Sequence, residues 1–289
     1  MTVIALPAAG AMGAGLGCVL AAHGATVLTM TEGRSEATRH RAEQAGMRPA
    51  SLNELARADL ILSVVPPAIA VTTAGQIIAA LPGGHRPIYA DLNAISPDRS
   101  REIADIVAGH ADFVDGGIIG APPRADSTGG PLIYLSGNAT DAASLMVKHG
   151  LKTKVIDGGI GAASAVKMCY GAMTKGITGL TSAMLLAAER AGIGEVLHAE
   201  LSRSQSQLLT RSEQTLPDMY GKAYRWVDEM DQIAAFLTPE RPESQIWQGL
   251  ARFYQMLADD EASDKSQVSD LDHFLKRREK TLGNSSRST

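Results

Sequence analysis

The chain opens on an apolar run, residues 2–6 (TVIAL), and similar runs recur at 25–30 (ATVLTM), 58–67 (ADLILSVVPP) and 86–92 (RPIYADL). Each is short, aliphatic and bounded by turn residues, the pattern of strands buried on both faces. Helical spacing fills the gaps: 12–23, a polar, alanine-bearing segment at 34–45, and 70–81 (AVTTAGQIIAAL). A further helix opens at Pro97, in the first helical position, with Ser96 as its cap. ADFVDGG and PLIYLSG read as later strands, Asn138 as the cap of the next helix, and KTKVIDGG as a last short strand. Strands alternating with helices predict a Rossmann-type, doubly wound parallel sheet, an α/β domain over residues 1–160.

Strand signals stop after residue 160. Residues 161–191 read as one long helix, or as two broken near 176–179, and helices continue over 193–260 with breaks at Pro217, Pro239 and Pro242. The spacing predicts an all-helical second domain over 161–275 and a disordered tail over 276–289. In the second domain, Arg225 and Glu229 are four apart and predicted to pair, while Trp226 and Met230 share a face that lines substrate or closes the core. His149 and His198 are expected in structural or exposed positions.

Composition narrows the function. The 289 residues are 45% hydrophobic and 20% charged, a folded composition. The net charge of -4 argues against a non-specific nucleic-acid surface. No Cys/His cluster has metal-ligand spacing, so no metal is expected, and Cys18 and Cys169 read as buried thiols. The start lacks the pattern of a signal peptide and no apolar run is long enough for a membrane span, so a cytoplasmic protein is expected.

The first turn, PAAGAMGAG, carries the first chemistry. A dinucleotide turn places glycines where the backbone must bend, approach the pyrophosphate and pack against the strand. Ala8, Gly10 and Gly13 occupy those positions, so only the first glycine is missing. The helix beginning near Ala11 points its amide groups at the phosphates, which makes Gly10, Ala11, Met12 and Gly13 candidate cofactor ligands. After the second strand comes TEGRS. Glu32 suits the ribose hydroxyl of NAD, whereas Arg34 and Ser35 form a clamp for the 2′-phosphate of NADP. NADP(H) is favoured, with NAD(H) as the alternative.

Four stretches then carry a resemblance: PAAGAMG, YADLNAISP, VDGGIIGAPPRADSTGGPLIYLSG and GIGAASAVKMCYG. Together they resemble the β-hydroxyacid dehydrogenase family, which includes 3-hydroxyisobutyrate and 6-phosphogluconate dehydrogenases. YRWVDEMDQIAAFL is similar to the C-terminal domain of a phosphogluconate dehydrogenase-like subgroup. The resemblance implies hydride transfer between a nicotinamide and a hydroxyacid or related alcohol or carbonyl compound, in a homodimer. It places the family's catalytic lysine on Lys167, as the group that gives a proton to the reacting oxygen or takes one from it. It also implies that Val65, Pro66 and Asn93 lie by the cofactor. Asn93, Gly117, Ile118, Ile119, Tyr170, Gly171 and Thr174 are implied to lie by a small-molecule substrate, and Arg124 and Ser127 are candidates to meet an anionic group.

Two departures bear on the substrate. Gly171 stands where the family has an asparagine one turn after the lysine, and Ile119 stands where it has a serine. Both polar anchors of a small hydroxyacid are thus altered. The alternatives are an imine reductase-like enzyme, or a dinucleotide-binding protein without catalysis.

Overall fold

The computed structural model describes residues 1–123 and 130–277. It divides into two compact units that part between Cys169 and Tyr170. In chain order the first unit contains β1 (Val3–Ala5), α1 (Ala11–Ala22), β2 (Thr26–Thr29), α2 (Glu36–Gln44), β3 (Arg48–Pro49), α3 (Leu52–Leu55), β4 (Leu60–Ser63), α4 (Ala70–Ala79), β5 (Ile88–Asp91), α5 (Pro97–Val107), β6 (Asp112–Ile119), β7 (Leu132–Gly137), α6 (Thr140–Lys148) and β8 (Lys152–Val155). The eight strands form one sheet in the order β3-β2-β1-β4-β5-β6-β7-β8.

Alternate side chains of the strands feed two cores. Ile4, Leu60 and Leu62 join Leu16 and Leu20 of α1 and Met146 of α6 on one face. Ala5 and Ile61 join Leu55, Ile77, Ile103 and Val107 of α3, α4 and α5 on the other. Burial on both faces explains why these strands read as continuous apolar runs. The sheet is mostly parallel; β7 departs from the expected direction and runs antiparallel to β6. The link between them returns at the same end of the sheet, so no crossover helix is required. Ser96 caps α5 and Pro97 opens it, as the sequence predicts. Asn138 does not cap α6: the helix starts at Thr140, which leaves Ala139 at the cap and Asn138 one residue too early.

The helix α7 (Ala162–Arg190) is unbroken through residues 176–179. Its first turns pack in the N-terminal unit and the rest belongs to the C-terminal one. There it is followed by α8 (Gly194–Ser204), α9 (Ser206–Tyr220), α10 (Ala223–Phe236), α11 (Pro242–Glu261) and α12 (Ser266–Leu275). Pro217 lies inside α9 rather than ending it, at the cost of the helical hydrogen bond that its missing N–H would have made. Pro242 opens α11, and α12 extends the helical region past residue 260. Glu229 pairs with Lys175 instead of Arg225, whose guanidinium lies on the ring of Tyr224 and donates to its hydroxyl. Met230 is buried and Trp226 stands edge-on to Tyr254, so both close the core. His149 and His198 are buried as well, His198 against Phe274. Cys18 is half-buried, but Cys169 is exposed. Ordered chain continues past the expected start of the tail, since Lys276 caps α12 and Arg277 pairs with Glu189. Residues 278–289 lie outside the described residues.

Two buried carboxylates stand in register, Asp91 at the end of β5 and Asp115 midway along β6. Among the described residues, Asp91 receives only the backbone N–H of Asn93 at 3.0 Å and its side-chain Nδ2 at 2.8 Å. Burial pushes its pKa up to about 7; the Asn93 bonds pull the other way, and the charge of Asp115 adds to the rise. Between about pH 4 and 7 the folded chain therefore holds a proton that the unfolded chain has released. Stability contributed by this group falls as pH rises through that window, and is constant above it. The change is on the order of a few kcal/mol. Melting temperature measured against pH should show this downward slope, and Asp91→Asn should flatten it whatever the variant's absolute stability. An unchanged slope in the variant would place the proton elsewhere.

Candidate active site

The N-terminus of α1 is an open donor site. Gly10 holds the cap position with φ -64° and ψ 180° and no side chain caps the helix. Among the described residues, the amides of Ala11, Met12 and Gly13 have no hydrogen-bond acceptor, and the first bond of the helix is Ala14 N–H to the Gly10 carbonyl at 2.8 Å. Among the described residues, a Cβ on Gly10 would meet nothing within 4 Å, so none of them fills the space beside it. At Gly13 a Cβ would fall 2.2 Å from the Ala8 carbonyl oxygen. Glycine is required there for the helix to sit against the turn, whereas the methyl of Ala8 is tolerated. These features fit a pyrophosphate, which needs convergent N–H groups at a positive helix end.

Beyond β2 the chain turns through Gly33, at φ 68°, and Arg34 N–H closes the turn on the Thr31 carbonyl. Arg34 is half-buried, and its guanidinium has no partner among the described residues. Ser35 is the cap of α2, accepting from Thr38 N–H at 3.4 Å. The cap bond leaves its hydroxyl near Thr38 Oγ1, at 3.1 Å. Arg41, which sequence reasoning missed, donates to Thr38 Oγ1 at 3.0 Å and to the Ala9 carbonyl at 3.3 Å. It ties α2 to the first turn. A residue 32 positions from its acceptor carries no local signal.

Asn93 is 2% exposed, and the fold itself uses its side chain. Its Oδ1 accepts from Val65 N–H at 2.6 Å, and its Nδ2 donates to Ser63 and Asp91. Asn93 thereby fixes the backbone of Val65 just past the end of β4. Val65 is half-buried and Pro66 exposed.

Lys167 lies in the second turn of α7, against β6. A Cβ on Gly117 would be 2.9 Å from Lys167 Cβ and 2.8 Å from the Ala163 carbonyl, so glycine allows helix and strand to touch. Lys167 Nζ donates to the Ile118 carbonyl at 2.7 Å. Burial pushes its pKa below the ordinary lysine range. The Ile118 side chain is buried in the core, leaving its carbonyl as the functional group, and Ile119 is half-buried.

The start of this helix hangs on Asp115. Its Oδ1 accepts from Ser100 Oγ at 2.8 Å and Ser164 Oγ at 2.6 Å. Its Oδ2 accepts from Ser136 Oγ at 2.8 Å and from the amides of Gly161, Ala163 and Ser164 at 3.0, 2.9 and 3.1 Å. Sequence reasoning gave Asp115 no role.

Tyr170, Gly171 and Thr174 follow on α7 within the C-terminal unit. Tyr170 is 50% exposed, and Thr174 Oγ1 donates back to the Tyr170 carbonyl at 2.9 Å. Space is open at Gly171, where a Cβ would meet nothing within 4 Å. Arg124 and Ser127 lie outside the described residues.

Comparison with known proteins adds to this geometry. A family described as Domain of unknown function (DUF1932) matches residues 188–257. A conserved protein of unknown function, reported to be structurally similar to 3-hydroxyacid dehydrogenases, is 25% identical with a TM-score of 0.68, over 90% of this chain and 98% of that one. The 3-hydroxyisobutyrate dehydrogenase of Mycobacterium tuberculosis, solved with L-serine, is 17% identical with a TM-score of 0.72, over 96% and 100%. An imine reductase from Myxococcus stipitatus in complex with NADP+ is 19% identical with a TM-score of 0.57, over 96% and 100%. The last two likenesses are of fold alone. In fold the chain is similar to 3-hydroxyacid dehydrogenase-like proteins, and its helical segment 188–257 matches the DUF1932 family.

Proposed function

We propose that the chain is an NADP-dependent oxidoreductase acting on a hydroxyacid or a related alcohol or carbonyl compound. The observation that carries this reading is Lys167, half-buried, lowered in pKa and held by the Ile118 carbonyl at 2.7 Å. The amides of Ala11, Met12 and Gly13 would hold the pyrophosphate, and Arg34 with the Ser35 hydroxyl would hold the 2′-phosphate. Val65 and Pro66 would border the cofactor. When bound, the nicotinamide supplies or accepts the hydride. Hydride arrival at a carbonyl carbon leaves negative charge on its oxygen, and the Lys167 ammonium gives the proton that quenches it. In the reverse direction the neutral amine takes that proton. The Ile118 carbonyl orients the amine in both states, since an ammonium and an amine each have an N–H to donate.

A second reading, reduction of an imine, is favoured by the apolar Ile119 and by the open space at Gly171. Neither position offers a carboxylate an anchor.

The helix α7 presents Tyr170, Met173, Leu180 and Met184 to solvent. Their spacing puts them on one side of the helix. An exposed apolar stripe of this kind is suited to a second copy of the chain, and the proposed assembly is a homodimer.

Turnover of NADPH with a panel of 2-oxo acids, 3-oxo acids and cyclic imines tests the reaction. Lys167→Met should lower turnover by about 10²–10⁴-fold while leaving NADPH binding intact. In the native enzyme, reduction should slow as pH rises through the lysine's lowered pKa, and oxidation should quicken. NADPH binding without turnover across the panel would leave a non-catalytic dinucleotide binder. Arg34→Ala should weaken NADPH by roughly 10- to 100-fold and NADH little, as measured by fluorescence titration; equal losses would remove Arg34 from the phosphate. Light scattering should give twice the chain mass, and Met184→Glu should shift it toward the monomer. A native monomer at micromolar concentration would exclude the dimer.

A further inference from the structure

Asp115 has more donors than a structural cap needs. Six hydrogen bonds reach its carboxylate, from Ser100 on α5, Ser136 on β7, and the segment 161–164 that starts α7. It is fully buried, and none of these donors belongs to a lysine or arginine. Its counter-charge is therefore the positive end of α7, where the first amides are free of intrahelical partners. The same strand touches α7 at two further points: Gly117 admits the helix backbone, and the Ile118 carbonyl takes the lysine. Asp115, Gly117 and Ile118 thus bind one helix within four residues of strand. The lysine hangs one turn past Ser164, the residue that gives Asp115 both its amide and its hydroxyl.

We propose that Asp115 is the positioning residue for Lys167: it fixes the start of α7 on β6, so that the lysine meets the Ile118 carbonyl, and it offsets the positive helix end near the ammonium. This rests on the reading of Lys167 as the proton-transfer group. The contribution is both geometric and electrostatic. Without the carboxylate the helix end is uncompensated, and the protonated lysine is disfavoured further. The helix is also free to shift, which loosens the lysine from Ile118.

The test reads the lysine itself and needs no substrate. Acetic anhydride labels neutral amines, so the labelling rate of each lysine against pH, followed by peptide mass spectrometry, gives its titration and its accessibility. Exposed Lys154 serves as the internal reference. In Asp115→Asn, the Lys167 midpoint should fall by roughly 0.5 to 1 pH unit and its limiting rate should rise, while Lys154 stays unchanged. Ser164→Ala keeps the carboxylate and deletes its shortest bond; it should raise the limiting rate of Lys167 with a smaller shift in midpoint. Circular dichroism establishes which variants are folded. Native titration and labelling of Lys167 in folded Asp115→Asn would overturn the proposal; if that variant does not fold, the same result in Ser164→Ala overturns it. Turnover by Lys167→Met would sink the reaction assigned to the lysine but leave the labelling result standing, so the two failures are distinct.

Discussion

The convergence of six donors on the Asp115 carboxylate fixes where one helix begins, and the placement of Lys167 follows from that. A buried carboxylate with no cationic partner is costly unless its oxygens are hydrogen-bonded. Here the donors come from α5, β7 and the start of α7, so satisfying one charge fastens three elements to β6. Oδ2 takes three amides from the first turn of α7, which orients the helix axis as well as its origin. Lys167 is then carried to a backbone carbonyl of the same strand. Few conformational freedoms remain between the buried charge and the lysine nitrogen.

Asp91 shows what the same residue does with less support. It stands in register with Asp115 on the adjacent strand and is as deeply buried. Among the described residues Asn93 is its one source of donors, and its pKa rises to about 7. At equal depth Asp115 receives six hydrogen bonds, from α5, β7 and the start of α7. Asn93 also holds Val65, so Asp91 is coupled to the end of β4 much as Asp115 is coupled to α7. Adjacent strands thereby support the two sides of the proposed reaction, one beside the cofactor loop and one beneath the lysine helix.

Much of this was legible in the sequence where the determinant is local. The strands buried on both faces stand out as apolar runs, and Ser96 with Pro97 marks a helix start in adjacent residues. Gly13 and Gly10 are legible because the turn places its requirements three residues apart. β3 and α3, at two and four residues, are too short for any periodicity to register. The direction of β7 is invisible because alternating burial looks the same either way along a strand. Asp115 was passed over for a related reason: its donors sit at 100, 136 and 161–164, and each of those serines or amides is unremarkable among its own neighbours. Arg41 and Asn93 likewise act at distances of 32 and 28 residues along the chain.

The same contrast separates reaction type from substrate. The groups proposed to hold phosphate and to orient the proton are largely backbone: the amides of Ala11, Met12 and Gly13, and the carbonyl of Ile118. Backbone groups survive side-chain replacement, so their placement depends on the fold more than on residue identity. The groups that would select a substrate are side chains, and there this chain carries Ile119 and Gly171. Neither has a hydrogen-bonding side chain, and the neighbouring Thr174 donates its hydroxyl proton to its own helix. A polar substrate would find no side-chain donor at these positions to replace its water, whereas an apolar one would lose little by leaving it. On the proposed reading, the two replacements bear on substrate choice and leave the chemistry proposed for Lys167 untouched.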